Sequence, residues 1–365
     1  MQLKKFAGWF LKSNEPRAQN ARRIVKLIFI LGLFIALFWI VPVSSVVQVL
    51  LTVNIWCFLI GVALGLVALL LTSMQLLPLV HNQGIKRSLA QIFEINLAVK
   101  FYLLFTPSNL IASGIRWYRF AQPEGKVIES FVALAFFRLF DMFLTLTIGL
   151  SFLLLSANQS IQVNPAWVAL PIITIIIAWV VITRYSLRIY RWLKTRMAMW
   201  MKSRDDQPGK LAILRGKGLL VILAKFEKLL SAASAYADMP GRQLLGSVFS
   251  GTSSALVSIA SGVILAMALG IDLGFLTMGW IQSIVSLTAQ LPFTMAEGLG
   301  VREVTLVAVL SLFGINAEQA LALSFLIFTR SLIIALIGGI FEAIRILKHR
   351  RVTMLDTIQD KPNEL

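Results

Sequence analysis

Two long stretches of this chain carry no formal charge. Residues 27–85 contain no Asp, Glu, Lys or Arg, and neither do residues 142–183. A spanning α-helix needs about 20 mostly apolar residues, so each stretch is long enough to cross a bilayer twice. Inside hydrocarbon the backbone must satisfy its own polar groups, which restricts spanning segments to helices or closed barrels. The composition agrees: 58% of the residues are hydrophobic, 14% are charged, and mean hydropathy is +0.82. The sequence therefore predicts an all-α polytopic membrane protein.

Charge sets the expected topology. The net charge is +17, from 34 basic and 17 acidic residues. In a soluble chain that excess would point to nucleic acid. Here it follows from the collection of Lys and Arg in cytoplasmic loops, and nucleic acid is not an expected partner. Residues 1–26 hold Lys4, Lys5, Lys12, Arg17, Arg22, Arg23 and Lys26, and form a basic cytoplasmic N-terminus. That basic region is too long for a cleavable signal. Crossings are expected at about 27–43, 50–73, 128–155, 166–184, 244–269 and 274–290, with shorter apolar segments at 304–314 and 319–343. This gives about eight transmembrane helices plus broken or re-entrant helices. Both termini lie inside, and residues 346–365 form a cytoplasmic tail.

The segments divide into two pseudo-repeated halves. The first, 27–184, contains a re-entrant element at 95–120. The second, 244–345, contains a broken element at 288–303. Between them lies a polar connector, 185–243. Residues 184–242 hold 13 Lys or Arg against four acidic residues. Arg184, Arg188, Arg191 and Lys194 share one helical face; Tyr190, Leu193, Met197, Trp200 and Met201 share another. Such a helix either lies in the interface against anionic lipid or serves as a solvated connector.

The two interruptions carry the candidate chemistry. The first runs from Pro107 through "SNLIAS" to Gly114-Ile115-Arg116. The second runs from Pro292 through "FTMAEGL" to Gly300-Val301-Arg302. Proline removes a backbone donor and unsettles the residue before it. Paired helix breaks in two halves are a pointer to a transporter's midplane site. A charge at the bilayer centre costs about 2.5 to 3.5 kcal/mol on insertion scales, so charges gathered at a break require an explanation. The candidate substrate-binding residues are Pro107, Asn109, Arg116, Arg119, Glu129, Arg138 and Asp141 around the first break, and Pro292, Glu297, Gly298, Gly300, Arg302, Glu303 and Arg330 around the second. Arg116, Arg302 and Arg330 would hold phosphate, since guanidinium matches its geometry. Glu297, Glu303 and Asp141 would orient the arginines or meet a cationic headgroup. Blander readings stand beside these. Arg138 and Asp141, three residues apart, suit a structural ion pair. Arg116 and Arg119 suit snorkelling to the interface. Glu94, Lys100 and Glu342 suit interfacial positions.

Other chemistry has little support. A single cysteine, Cys57, allows no disulfide within the chain and no cysteine metal cluster. The two histidines, His81 and His349, lie far apart and show no metal-ligand spacing. No G-x-x-x-x-G-K-[ST] loop is present. No cofactor is expected, and the chain does not read as an enzyme.

The same segments resemble a known family. "QLPFTMAEGLGVRE" is similar to the P-x-x-x-G-G-x-G-x-R-E element of the lysylphosphatidylglycerol synthase/flippase transmembrane family. "TPSNLIASGIRWYRF" resembles its P-x-x-x-G-x-x-x-R element, "FFRLFDMF" its E-R-x-x-D helix, and "FGINAEQALALSFLIFTR" the segment before its last helix. The resemblance covers residues 20 to 345. Two departures stand out: family-like glycines are replaced near Ser108 to Ser113, and Phe137 stands where an acidic residue often precedes the arginine. The resemblance implies a stand-alone flippase-like protein without an aminoacyl-transferase domain, ending at Leu365. The expected substrate is a polar-headgroup lipid: a phospholipid, an aminoacyl-lipid or a prenyl-linked sugar. It would cross a bacterial-type cytoplasmic membrane through a charged intramembrane cavity. Three alternatives remain: a non-catalytic partner recruiting a glycosyltransferase for cell-envelope synthesis, a small-solute or ion transporter, and a lipid-modifying membrane enzyme. Membrane lipid is the expected partner, with dimerisation left open.

Overall fold

The computed structural model describes residues 51–105, 109–122, 124–156, 239–289 and 300–359, with positions 48, 173, 195, 235 and 236. Among these every regular element is an α-helix, eight in all: α1 (Ile55–Asn82), α2 (Leu89–Phe105), α3 (Asn109–Ala121), α4 (Val127–Ser156), α5 (Gly241–Met267), α6 (Phe275–Ala289), α7 (Val301–Ser311) and α8 (Ala317–Gln359). The expected N-terminus, the first helix, nearly all of the fourth crossing at 166–184 and most of the connector lie outside the described residues. Helices α1, α4, α5 and the 317–345 part of α8 are long and apolar enough to cross a membrane. They keep large apolar side chains outward, among them Trp56, Leu59, Phe131, Leu139 and Phe249, as hydrocarbon solvent requires. This is a multi-pass, all-α membrane protein.

The chain divides into two compact units that do not follow chain order. Unit 1 comprises residues 1–65, 100–112 and 259–365; unit 2 comprises 66–99 and 113–258. Leu265, Met278, Ile281, Leu306, Leu310 and Leu321 are the largest fully buried side chains of unit 1; Leu76, Leu79, Ile85, Ile92, Leu97 and Phe120 are those of unit 2. In unit 1, α7 packs on both α6 and α8.

Lipid tails are as apolar as leucine, so helices in a bilayer associate through close packing and hydrogen bonds. Helices α1 and α5 show both. In unit 2, Ser254 Oγ donates to Ala68 O at 2.8 Å and Ser247 Oγ to Gln75 O at 3.1 Å. In unit 1, Ser261 Oγ donates to Gly61 O at 2.7 Å, and Asn54 N to Ala268 O at 2.9 Å. Within each unit successive rungs lie seven residues apart on both helices, so the two run antiparallel. Glycines permit the approach. A Cβ on Gly251 would fall 2.8 Å from the Gln75 amide, and one on Gly61 2.7 Å from Leu265.

Helix α1 continues to Asn82, through Pro78, past the end near residue 73 that the sequence suggests. Its last turn is held from outside: Tyr236 Oη donates to Leu79 O at 3.0 Å, and Asn82 Nδ2 to Ala235 O at 2.9 Å. Burial pushes the Tyr236 phenol's pKa up, so it remains a donor.

Helices α2 and α3 fall on the stretch that the sequence marks as a re-entrant element, 95–120. Seventeen and 13 residues long, they measure about 25 and 20 Å, against a hydrocarbon core of about 30 Å. Within unit 2 the two limbs run antiparallel. Arg87, just before α2, donates from Nη2 to Arg119 O near the end of α3 at 2.9 Å. The start of α2 and the end of α3 therefore lie together. Trp117 and Tyr118, both exposed there, are residue types that favour the membrane–water interface.

The rungs set an expected order of variants. Ser254→Ala removes the hydroxyl's bonds to Ala68 O and Thr72 Oγ1 of α1 and should cost about 0.6 to 1.7 kcal/mol. Gly262→Leu, whose first added carbon already meets Met278 and Gln282, should cost about 1 to 3 kcal/mol by overpacking. Thermal unfolding in detergent should rank wild type above Ser254→Ala above Gly262→Leu.

Candidate functional site

The charged candidates fall into two clusters of different character, one in each unit. In unit 2 the centre is Arg116, on α3. Its Nη2 donates to Asn96 Oδ1 of α2 at 2.8 Å. Asn96 Nδ2 donates to Ser73 Oγ of α1 at 2.8 Å, and Ser73 Oγ donates to Leu69 O at 2.9 Å. The guanidinium carbon lies 4.9 Å from the ring centroid of Phe137 on α4, within cation–π range. Its Nε is buried without a hydrogen-bond partner. Arg138 and Asp141, on α4, are within electrostatic reach of Arg116 and of each other. Thus Arg116 is held by a neutral amide and an aromatic face, with Asp141 offsetting its charge from nearby.

The other unit 2 candidates spread outward from this point. Arg119 is buried at 7% exposure, and its carbonyl anchors Arg87. Arg138 is exposed, whereas Glu129 and Asp141 are half-buried. Asn109 opens α3.

In unit 1 the centre is a neighbouring ion pair. Arg302 Nη2 and Glu303 Oε1 are 2.6 Å apart, and Arg302 Nε approaches the same oxygen at 3.2 Å. Ser324 Oγ of α8 donates to Glu303 Oε1 at 3.0 Å. The carboxylate's other oxygen accepts the Gly300 N–H, so Glu303 also caps the first turn of α7. Gly300 has a positive φ of 87°, a conformation glycine adopts readily and larger residues resist. Arg302 and Glu303 are 3% and 2% exposed, and the guanidinium lies 5.7 Å from the Phe328 ring centroid. This arrangement neutralises Arg302 locally and fixes the start of α7. It holds the fold together and leaves less of the guanidinium for a ligand.

Arg330, on α8, donates from Nη1 to Ser261 Oγ at 2.7 Å. That serine continues to Gly61 O, so Arg330 joins a rung of the α1–α5 pair. Glu342, expected at an interfacial position, is 9% exposed and accepts from Tyr102 Oη at 3.0 Å. A Tyr hydroxyl one helix away made burial feasible. Pro107, Pro292, Glu297 and Gly298 lie outside the described residues.

Sequence reading picked out the charges and missed their neutral partners, Asn96, Ser73, Ser261 and Ser324. The available signal was weak: each is an uncharged polar residue within an apolar run, and nothing in one dimension shows which helix it faces.

With this geometry in place, the family assignment is direct. The family described as the lysylphosphatidylglycerol synthase TM region matches residues 23–339. The chain belongs to this family. No curated protein matches it. The span shared with the family contains both interruptions and every charged residue of the two clusters.

Removing one member of a buried pair strands the other charge, which costs about 3 to 5 kcal/mol. Glu303→Ala should therefore lower membrane abundance and unfolding temperature sharply. Arg302→Met combined with Glu303→Leu should recover most of that loss, apart from the missing cap. A Glu303→Ala protein as stable as wild type would remove the structural role.

Proposed function

We propose that this chain is a flippase-like lipid translocator. It moves a polar-headgroup lipid across a bacterial-type cytoplasmic membrane without modifying it. The observation that carries this reading is the Arg116 setting. A cation among apolar helices, directly bonded to a neutral Asn96 and stacked on Phe137, retains a partly uncompensated charge and an unused N–H edge. A lipid phosphate supplies the complementary charge and oxygens. Family membership supports a membrane protein of the lipid-synthase or flippase type. Tails can stay in the bilayer while the headgroup follows the protein.

The basic side chains at one end of unit 2 support the orientation. Arg87 and Lys126 bond to Arg119 O and Gly84 O there. By the bias of Lys and Arg toward the cytoplasm, this end faces inward, as do both termini. Alternating access of broken-helix elements would carry the headgroup outward or inward.

Vesicles of phosphatidylethanolamine and phosphatidylglycerol, containing the purified protein and a trace of headgroup-labelled phosphatidylglycerol, test the reading. Protein-dependent loss of labelled lipid from one leaflet is expected. Arg116→Gln should slow it by at least about tenfold, the equivalent of one charge-assisted bond of about 1.5 kcal/mol or more, with abundance preserved. Equal leaflet exchange in vesicles with and without wild-type protein would refute translocation of this lipid.

A further inference from the structure

Unit 2 holds polar groups that the protein itself leaves unmet, and they share one helix face. Ser130 opens the series. It is fully buried, and among the described residues its Oγ has no hydrogen-bond partner. A helical serine or threonine ordinarily folds back on a carbonyl one turn earlier, as Ser73, Thr147, Ser283 and Thr305 do in this chain. Ser130 does not. Seven residues on, Phe137 carries the Arg116 guanidinium with its unpartnered Nε. Seven further, Leu144 converges on Gly251 together with the Gln75 side chain: a Cβ there would sit 2.6 Å from Leu144 Cδ1 and 2.8 Å from Gln75 Nε2. Gln75 is fully buried, and neither its amide oxygen nor its nitrogen has a hydrogen-bond partner among the described residues.

The three levels are periodic. Seven residues of α-helix rise about 10.5 Å, so Ser130, Arg116 and Gln75 mark points along α4 spaced over about 21 Å. That is two-thirds of a hydrocarbon core of about 30 Å. An unmet polar group in an apolar interior is costly, and native proteins retain few of them. Gln75 is the clearest case. A methionine of similar shape would fill its place without stranding four hydrogen-bonding sites. Three such groups in register on one face serve something that passes along it.

We propose that the inner face of α4 in unit 2 is the path of a phosphate-bearing, hydroxylated headgroup, with Ser130, Arg116 and Gln75 as successive hydrogen-bonding stations. Arg116 takes the phosphate. Gln75 and Ser130, each able to donate and accept, take phosphate oxygens or hydroxyls on either side of it. Gly251 lacks a side chain because one would displace the Gln75 amide. This path rests on the translocator reading, and adds to it the route, the class of headgroup and two residues that neither charge nor sequence motif singled out.

Two measurements test it in the full-length protein. In the phosphatidylglycerol exchange assay, Gln75→Met and Ser130→Ala should each slow transfer by about tenfold, while the unfolding temperature holds or rises because an unmet polar group has been removed. Lower stability without slower transfer, or unchanged transfer, overturns the stations. The second measurement is independent of transport. In a Cys57→Ser background, cysteines at Gln75 and Ser130 should react with a membrane-impermeant cationic thiol reagent. A cysteine at Leu139, 56% exposed on the same helix and directed at lipid, should resist it. Absence of labelling at 75 and 130 overturns a wet path. A wild type that moves lipid alongside equally fast variants overturns the path alone. A wild type that moves none overturns the translocator reading and with it the path as a lipid route.

Discussion

A polar atom placed inside a bilayer is costly unless it is met by the protein or by a group the protein admits, because lipid tails supply no partner. That requirement organises this structure more visibly than hydrophobic burial does. The serines of α5 give their hydroxyl protons to carbonyls of α1, Ser247 and Ser254 seven residues apart in unit 2 and Ser261 in unit 1. Arg116 reaches Leu69 O through Asn96 and Ser73. Arg330 reaches Gly61 O through Ser261. In both cases an arginine is tied to the backbone of α1 by small neutral intermediates. The apolar side chains that would form the core of a soluble protein instead face outward on the long helices.

The two interruptions therefore differ in kind, although the sequence makes them look alike. Each has proline, glycine and arginine in the same order. Around the second, the acidic neighbour is adjacent in sequence, so Arg302 is paired at once and α7 gains its cap from the same carboxylate. Around the first, the direct hydrogen-bond partner of Arg116 is an amide, and the ring of Phe137 lies against its guanidinium.

Much of the architecture was legible in the sequence because the bilayer imposes simple rules. Helix α4 was expected at 128–155 and runs Val127–Ser156; α5 was expected at 244–269 and runs Gly241–Met267. Charge-free length and flanking basic residues suffice for such elements. The shortness of α2 and α3 was legible from apolar runs too short to span. The extension of α1 to Asn82 was not, since it depends on Tyr236 and Asn82 meeting partners more than 150 residues away. Nor was the burial of Glu342, which depends on Tyr102. The candidate charges stood out because charge is rare in these runs. Gln75 and Ser130 did not, because a single neutral polar residue in an apolar run looks the same whether its hydrogen bonds are met or unmet.

The adjacency of Arg302 and Glu303 also matters for biosynthesis. Membrane proteins are built from the N-terminus, and a helix is released toward lipid before the segments that follow it exist. An arginine whose counter-ion came from a later helix would face hydrocarbon alone during that interval. Here the opposite charge is the next residue to emerge, and Asn96 is made 20 residues ahead of Arg116. Each cation thus arrives at the translocon with its direct polar partner already made or one residue behind.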